Sequence, residues 1–136
     1  MDLRLLYEDQ WKILAELPDG DDGACPLLAA FEELRGHNLD AHIDGLIRTL
    51  QRLATDGPYK MRQFIHEASK EKKIYGLRRG PIRVYFFYGD GALILCSHAI
   101  KKKKQGASKA DVDRAADFRN RYEKAVAAKK LSMIPE

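Results

Sequence analysis

The chain has 136 residues, of which 45% are apolar and 32% charged, a balance typical of one globular domain, residues 1–136, and not of a disordered segment. No apolar run approaches the roughly 20 residues of a membrane-spanning helix, and no basic leader followed by an apolar segment opens the chain, which argues against export. The two cysteines, Cys25 and Cys96, are too few for a disulfide scaffold, so we expect a protein of the reducing cytoplasm. They are also too few for a structural zinc site of the usual kind.

Charge is distributed unevenly along the chain. Residues 1–59 contain 5 Lys/Arg and 12 Asp/Glu, a net charge of −7, whereas residues 60–136 contain 19 and 8, a net charge of +11. A protein that separates charge in this way often presents one basic surface to a polyanion such as a nucleic acid. A solvated basic face without a partner is the alternative.

The acidic half predicts one strand and two helices. A β-prone run at 3–7 is the first strand, and the loop D-G-D-D-G at 19–23 lacks the carboxylate that a calcium loop needs at its twelfth position. Pro26 suits a first helical turn, apolar residues then repeat on one face, and Gly36 ends this helix. A second amphipathic helix is predicted over residues 40–54.

The basic half predicts an antiparallel meander. Three β-prone segments at 74–78, 82–88 and 92–98 are separated by turn residues. Residues 61–66 form either a further strand or a connecting segment.

The last predicted helix begins near Ser108, because Asp111 stands three residues further on, at the spacing of a capping box. Its buried side consists of the apolar residues Val112, Ala115, Ala116, Phe118, Tyr122 and Val126. Together the elements predict an α+β fold, in which a small twisted antiparallel sheet packs against N-terminal helices and a C-terminal helix.

Turn geometry predicts which side chains share a face of this sheet. If Asp90-Gly91 is a two-residue turn, Arg83 lies opposite His98. A four-residue loop at 79–82 places Arg78 opposite Arg83. Because side chains alternate between faces along a strand, each face can be assigned. The predicted helix-free face carries Arg78, Arg83, Tyr85 and His98, and the face against the helices carries Leu77, Val84, Phe86, Leu93 and Leu95.

The predicted helix-free face suits RNA. Arginines clamp a phosphate and stabilise the added charge of its transition state. His98 titrates near neutral pH and is a candidate to move a proton, and Tyr85 is a candidate to stack on a base. The further candidate RNA contacts are Lys72, Lys73, Lys101, Lys103 and Lys104. An ordinary solvated sheet face is the alternative, and Cys96 lacks the orienting carboxylate that nucleophilic catalysis needs.

Several motifs, in one order, resemble the RelE/HigB toxin superfamily, and most of all its phage-derived HigB-like branch. The segments are I-Y-G-L-R at 74–78, P-I-R-V-Y-F-F at 81–87 and L-I-L-C-S-H-A-I-K-K-K at 93–103. These relatives typically read Y-E-L-R, Y-R-V-F-Y and L-H-G-F-x-K-K-T-x-K-T-P before a helix. The resemblance extends over about residues 60–123 and implies a RelE-like fold.

The resemblance also implies an activity. Such proteins are toxins of type II toxin–antitoxin systems that cleave mRNA, usually on the ribosome, without a metal or other cofactor. The RNA 2′-hydroxyl attacks the adjacent phosphate and leaves a cyclic phosphate and a free 5′-hydroxyl. A cognate antitoxin, commonly a small helix-turn-helix protein, holds the toxin in check. By position, the implied catalytic residues are Arg78, Arg83, His98 and Lys102.

Two departures from the family pattern affect the site. Gly76 stands where the family has a glutamate, so the general base is unassigned, and Ala99-Ile100 replaces Gly-Phe. A non-catalytic module that binds RNA or DNA, or a phage protein-interaction factor, would show the same charge asymmetry and is the alternative function.

Overall fold

A computed structural model describes residues 1–18, 24–102 and 108–135 and contains a seven-stranded sheet with the strand order β3-β4-β5-β6-β2-β1-β7. The strands are β1 (Asp2–Glu8), β2 (Lys12–Leu17), β3 (Ile65–Ser69), β4 (Ile74–Arg79), β5 (Ile82–Gly89), β6 (Leu93–Lys101) and β7 (Ser132–Pro135). The predicted loop at 19–23 lies outside the described residues, as do Lys103 and Lys104.

Helices pack on both faces of the sheet. Helices α1 (Pro26–Leu34) and α2 (Asp40–Asp56) cover one face, the α1/α2 face, where Phe31 and Leu46 pack with Val84. Helix α3 (Lys109–Ala127) covers part of the other, the α3 face, where Phe118 packs with Phe87. A 3₁₀ helix (Tyr59–Phe64) leads from α2 into β3. In the described part of the chain, no helix combines the length and apolarity needed to cross a membrane.

Local signals placed the three helices correctly. Pro26 is the first residue of α1, and the predicted second helix is α2. Ser108 caps α3, because its side chain accepts a hydrogen bond from the Asp111 backbone N–H at 3.1 Å. The predicted α+β class is therefore confirmed.

The predicted sheet was too small and too regular. Strands β2 and β7 were not predicted, and both add parallel pairs, β2 with β6 and β1 with β7. Ile13, Leu14 and Ala15 of β2 are all fully buried, because β2 lies inside the sheet with both of its faces covered. Such a strand reads as a continuous apolar run without the alternation typical of a half-exposed strand.

The predicted register between β5 and β6 is wrong. Gly89 pairs with Leu93, so residues 90–92 form a three-residue turn in place of the two-residue turn. Both Gly91 and Ala92 have positive φ, 78° and 61°. The shift by one residue moves Leu93 and Leu95 onto the α3 face, away from Val84 and Phe86.

A β-bulge in β6 returns the residues that follow it to the faces of the sheet that the sequence predicted for them. Phe86 pairs with Cys96 and Tyr85 with His98, so Ser97 is the extra residue. His98 therefore returns to the α3 face but lies opposite Tyr85, and the predicted pairing of His98 with Arg83 is wrong.

Candidate functional site

One row of residues runs across four strands on the α3 face. His66 pairs with Gly76, Gly76 with Tyr85, and Tyr85 with His98. The next row on this face contains Arg78 opposite Arg83, as the sequence predicted. The first turn of α3 contacts His98. The arginines lie one row further along the strands, beside the turn between β4 and β5, where Arg78 is exposed and Arg83 is partly buried.

Arg83 is held in place by its own turn. Its Nη1 donates to the carbonyl oxygens of Gly80, at 2.6 Å, and Ile82, at 3.0 Å. Its Nε is buried and has no hydrogen-bond partner among the described residues. Burial and the charge of Arg78 lower the pKa of Arg83, against a smaller opposite effect of Tyr85. The guanidinium is thus a fixed cation with an unused donor.

Lys102 joins the two arginines from the end of β6. Its backbone N–H donates to the Pro81 carbonyl at 2.7 Å. Burial and the charges of Arg83 and Arg78 lower the pKa of Lys102. Among the described residues no carboxylate forms an ion pair with any of these three cations. Like charges without counter-ions repel one another, which favours the binding of an anion at this end.

His66 belongs to the same group, although no pattern in the sequence predicted it there. Its ring lies against Gly76, where a Cβ would come within 2.6 Å of Nε2. Both ring nitrogens are buried without a hydrogen-bond partner in the described stretches. Burial, and then the charges of Arg83, Lys102 and Arg78, lower the pKa of His66. We call His66, Arg78, Arg83 and Lys102 the cationic cluster.

No local signal pointed to His66. Its place depends on the register between β3 and β4, which contains an irregularity between Glu67 and Ser69. The one indirect signal is Gly76, which leaves room for a neighbouring side chain inside a strand.

The sequence predicted His98 on a helix-free face of the sheet. In the structure His98 is instead buried under α3. It is 3% exposed, and its ring nitrogens lie 2.9 Å from Ser97 Oγ and 2.9 Å from Asp111 Oδ1. Burial lowers the pKa of His98, although the hydrogen bond with Asp111 opposes this. The imidazole therefore connects β6 to the capped end of α3 and does not face the cationic cluster's open side.

Tyr85 is also buried, so its predicted stacking on a base is not compatible with its position. It is 0% exposed, and its ring stacks on His98 with a centroid distance of 5.2 Å. Burial and the charge of Asp111 raise the pKa of Tyr85. Its hydroxyl has no hydrogen-bond partner among the described residues.

The predicted lysine contacts are dispersed. Lys72 and Lys73 lie in the turn before β4, at the opposite end of that strand from Arg78, and Lys72 pairs with Asp113 of α3. Lys101 is opposite Ile82 and lines a groove with Glu33 on the α1/α2 face. Of the described lysines predicted at the site, Lys102 alone joins the arginines.

A substitution at His98 separates its structural role from a catalytic one. We expect His98→Ala to lower the free energy of unfolding by about 1–3 kcal/mol, because Asp111 loses its buried partner. Any activity of the cationic cluster should be unchanged per folded molecule. Urea unfolding at neutral pH measures the loss, and an inactive but fully stable variant would contradict this role.

The pH dependence of stability gives a second readout for His98. Its folded pKa lies below the ordinary value of 6.5, so the unfolded chain binds the proton more readily, and stability falls as pH falls below about 6.5 toward the folded pKa. His66 adds to this fall, since its pKa is shifted in the same direction. The fall should be shallower in His98→Ala than in the wild type.

Comparison with known proteins agrees with the fold. The sheet and its helices define a RelE-like α+β protein. Residues 33–120 match the family described as "Phage derived protein Gp49-like (DUF891)". The chain belongs to this family of toxin-like proteins in the RelE/HigB superfamily, which implies an antitoxin partner. No curated protein matches the chain.

In the described residues, no three His, Cys, Asp or Glu side chains come together as metal ligands would.

Proposed function

We propose that the protein is the toxin of a type II toxin–antitoxin system, of the HigB-like branch, and that it cleaves ribosome-bound mRNA in the cytoplasm at the cationic cluster. The observation that carries this proposal is the placement of Arg78, Arg83 and Lys102 beside the turn between β4 and β5 without a carboxylate partner in the described residues. An RNA phosphate supplies the missing negative charge.

The cluster fits a metal-independent reaction. When the RNA 2′-oxygen attacks the adjacent phosphorus, negative charge builds up on the phosphate oxygens. Arg83 stabilises that charge through hydrogen bonds from a guanidinium that its turn already holds in place. Arg78, opposite Arg83, adds a second positive charge. Lys102, whose pKa is lowered by burial, Arg83 and Arg78, is suited to give its proton to the departing 5′-oxygen.

The antitoxin would act by covering the cationic cluster. An acidic segment of a small partner protein, commonly a helix-turn-helix protein in this superfamily, complements the charge of Arg78, Arg83 and Lys102. The acidic helices α1 and α2 offer a separate surface for the same partner.

Two neighbouring lysines test where RNA binds. Lys102→Ala should weaken RNA binding and lower the slope of log affinity against log salt concentration by about 1, because one phosphate contact is lost. Lys101→Ala is the matched control, since Lys101 lies on the α1/α2 face. A salt titration of RNA binding measures both slopes. Equal effects of the two substitutions would contradict the assignment.

Expression in cells tests the proposed function as a whole. Induction of the protein alone should arrest growth, and co-expression of the product of the adjacent gene should restore it. Purified protein should cleave ribosome-bound mRNA, and its complex with the neighbour's product should not. RNA binding without cleavage would favour the non-catalytic module.

A further inference from the structure

We propose that His66 is the proton acceptor for the attacking 2′-hydroxyl, and that Gly76 provides the space in which its imidazole works. This inference rests on the proposed RNA cleavage and assigns the general base, a role for which the family's glutamate is missing at position 76.

The position of the imidazole follows from the sheet. His66 and Gly76 are direct partners across β3 and β4, and Gly76 is the partner of Tyr85 on β5. Because Gly76 has no side chain, the His66 ring lies against its backbone, where a Cβ would come within 3.0 Å of Nδ1 and 2.6 Å of Nε2. Arg78 is two residues from Gly76 on the same strand and therefore faces the same side.

The ring nitrogens of His66 are both buried, and neither has a hydrogen-bond partner among the described residues. Buried polar atoms of native proteins nearly always have a partner, so an unpartnered pair at a cationic site points to a ligand. His98, the other imidazole in this row, has both of its nitrogens engaged by Ser97 and Asp111.

Burial and the surrounding positive charges favour the neutral form of the His66 imidazole. The charged groups that act on it are Arg83 from β5, Lys102 after β6 and Arg78 from β4. Burial and the three cations lower the pKa of His66. A neutral imidazole has a lone pair that can accept a proton, whereas an imidazolium does not.

The reaction balances with the residues present. The 2′-hydroxyl proton moves to a His66 nitrogen as the bond between the 2′-oxygen and phosphorus forms. The bond between phosphorus and the 5′-oxygen then breaks, and the 5′-oxygen takes a proton from the Lys102 ammonium. The products are a 2′,3′-cyclic phosphate and a 5′-hydroxyl, and exchange with water returns both side chains to their starting states.

His66→Ala tests the assignment. Single-turnover cleavage of ribosome-bound mRNA should be about 10²-fold slower than in the wild type, while RNA binding should change by less than about threefold. Added imidazole should restore much of the rate, because it can enter the vacated space and accept the proton. His37→Ala, at an exposed position outside the cluster, should cleave like the wild type.

Gly76→Ala provides a second variant that leaves His66 in the chain. Its Cβ would displace the imidazole, so cleavage should slow as in His66→Ala, and the double variant should be no slower than either single one. On the acidic side of neutral pH, the wild-type rate should decline as pH falls below about 6.5, and this decline should be absent from His66→Ala.

The outcomes separate the two levels of the account. If the wild type cleaves and His66→Ala cleaves within threefold of its rate, the role of His66 alone is overturned. The same holds if His66→Ala loses activity and added imidazole does not restore it. A wild type that binds ribosome-bound mRNA without cleaving it overturns the proposed function and this inference together.

Discussion

Arg83→Ala should reduce RNA cleavage by about 10²–10³-fold, the loss typical of removing one preorganised donor to a transition-state oxyanion. Arg83 combines a guanidinium fixed by the Gly80 and Ile82 carbonyls with a buried, unpartnered Nε. The variant should stop arresting growth, and the cleavage rate of purified protein on ribosome-bound mRNA gives the magnitude.

The control for Arg83→Ala is Arg48→Ala, which removes an exposed arginine from α2. Both variants lose one positive charge, so a general effect of net charge on RNA binding would appear equally in each. A wild-type cleavage rate in Arg83→Ala, at unchanged thermal stability, would show that Arg83 does not contact the reacting phosphate.

Phe118→Ala should lower the free energy of unfolding by about 3–5 kcal/mol, a large share of the stability of a small domain. Phe118 is 0% exposed and packs edge-on against Phe87 with a centroid distance of 5.2 Å. Its loss leaves a cavity between α3 and the sheet, and urea unfolding at neutral pH measures the effect.

Val126→Ala is the matched control for Phe118→Ala. The sequence placed Val126 on the buried side of α3, but it is 41% exposed, so its truncation should cost less than about 0.5 kcal/mol. If Phe118→Ala lowers the free energy of unfolding no more than Val126→Ala does, α3 does not pack on the sheet as described. His98 would then not be buried beneath α3 either.

Local patterns predicted most of the elements. Helical periodicity and the Ser108 cap located α1, α2 and α3, and alternating β-prone segments located β4, β5 and β6. Strand β2 was missed because a strand buried on both faces lacks alternation.

The site was predicted only where it depends on a short turn. Arg78 faces Arg83 because the turn between β4 and β5 fixes their register locally. The burial of Tyr85 and His98 depends on where α3 packs, and His66 depends on the irregular pairing of β3 with β4. Such contacts join distant parts of the chain, and no spacing within one segment encodes them.

The chemical ends of the RNA products distinguish attack by the 2′-hydroxyl from attack by water. We expect the wild type, in the presence of a metal chelator, to produce a 2′,3′-cyclic phosphate and a 5′-hydroxyl from ribosome-bound mRNA. A single 2′-deoxy substitution at the cleaved nucleotide should abolish cleavage, because the attacking group is removed. Products with a 5′-phosphate, or cleavage that persists beside the 2′-deoxy nucleotide, would contradict the account.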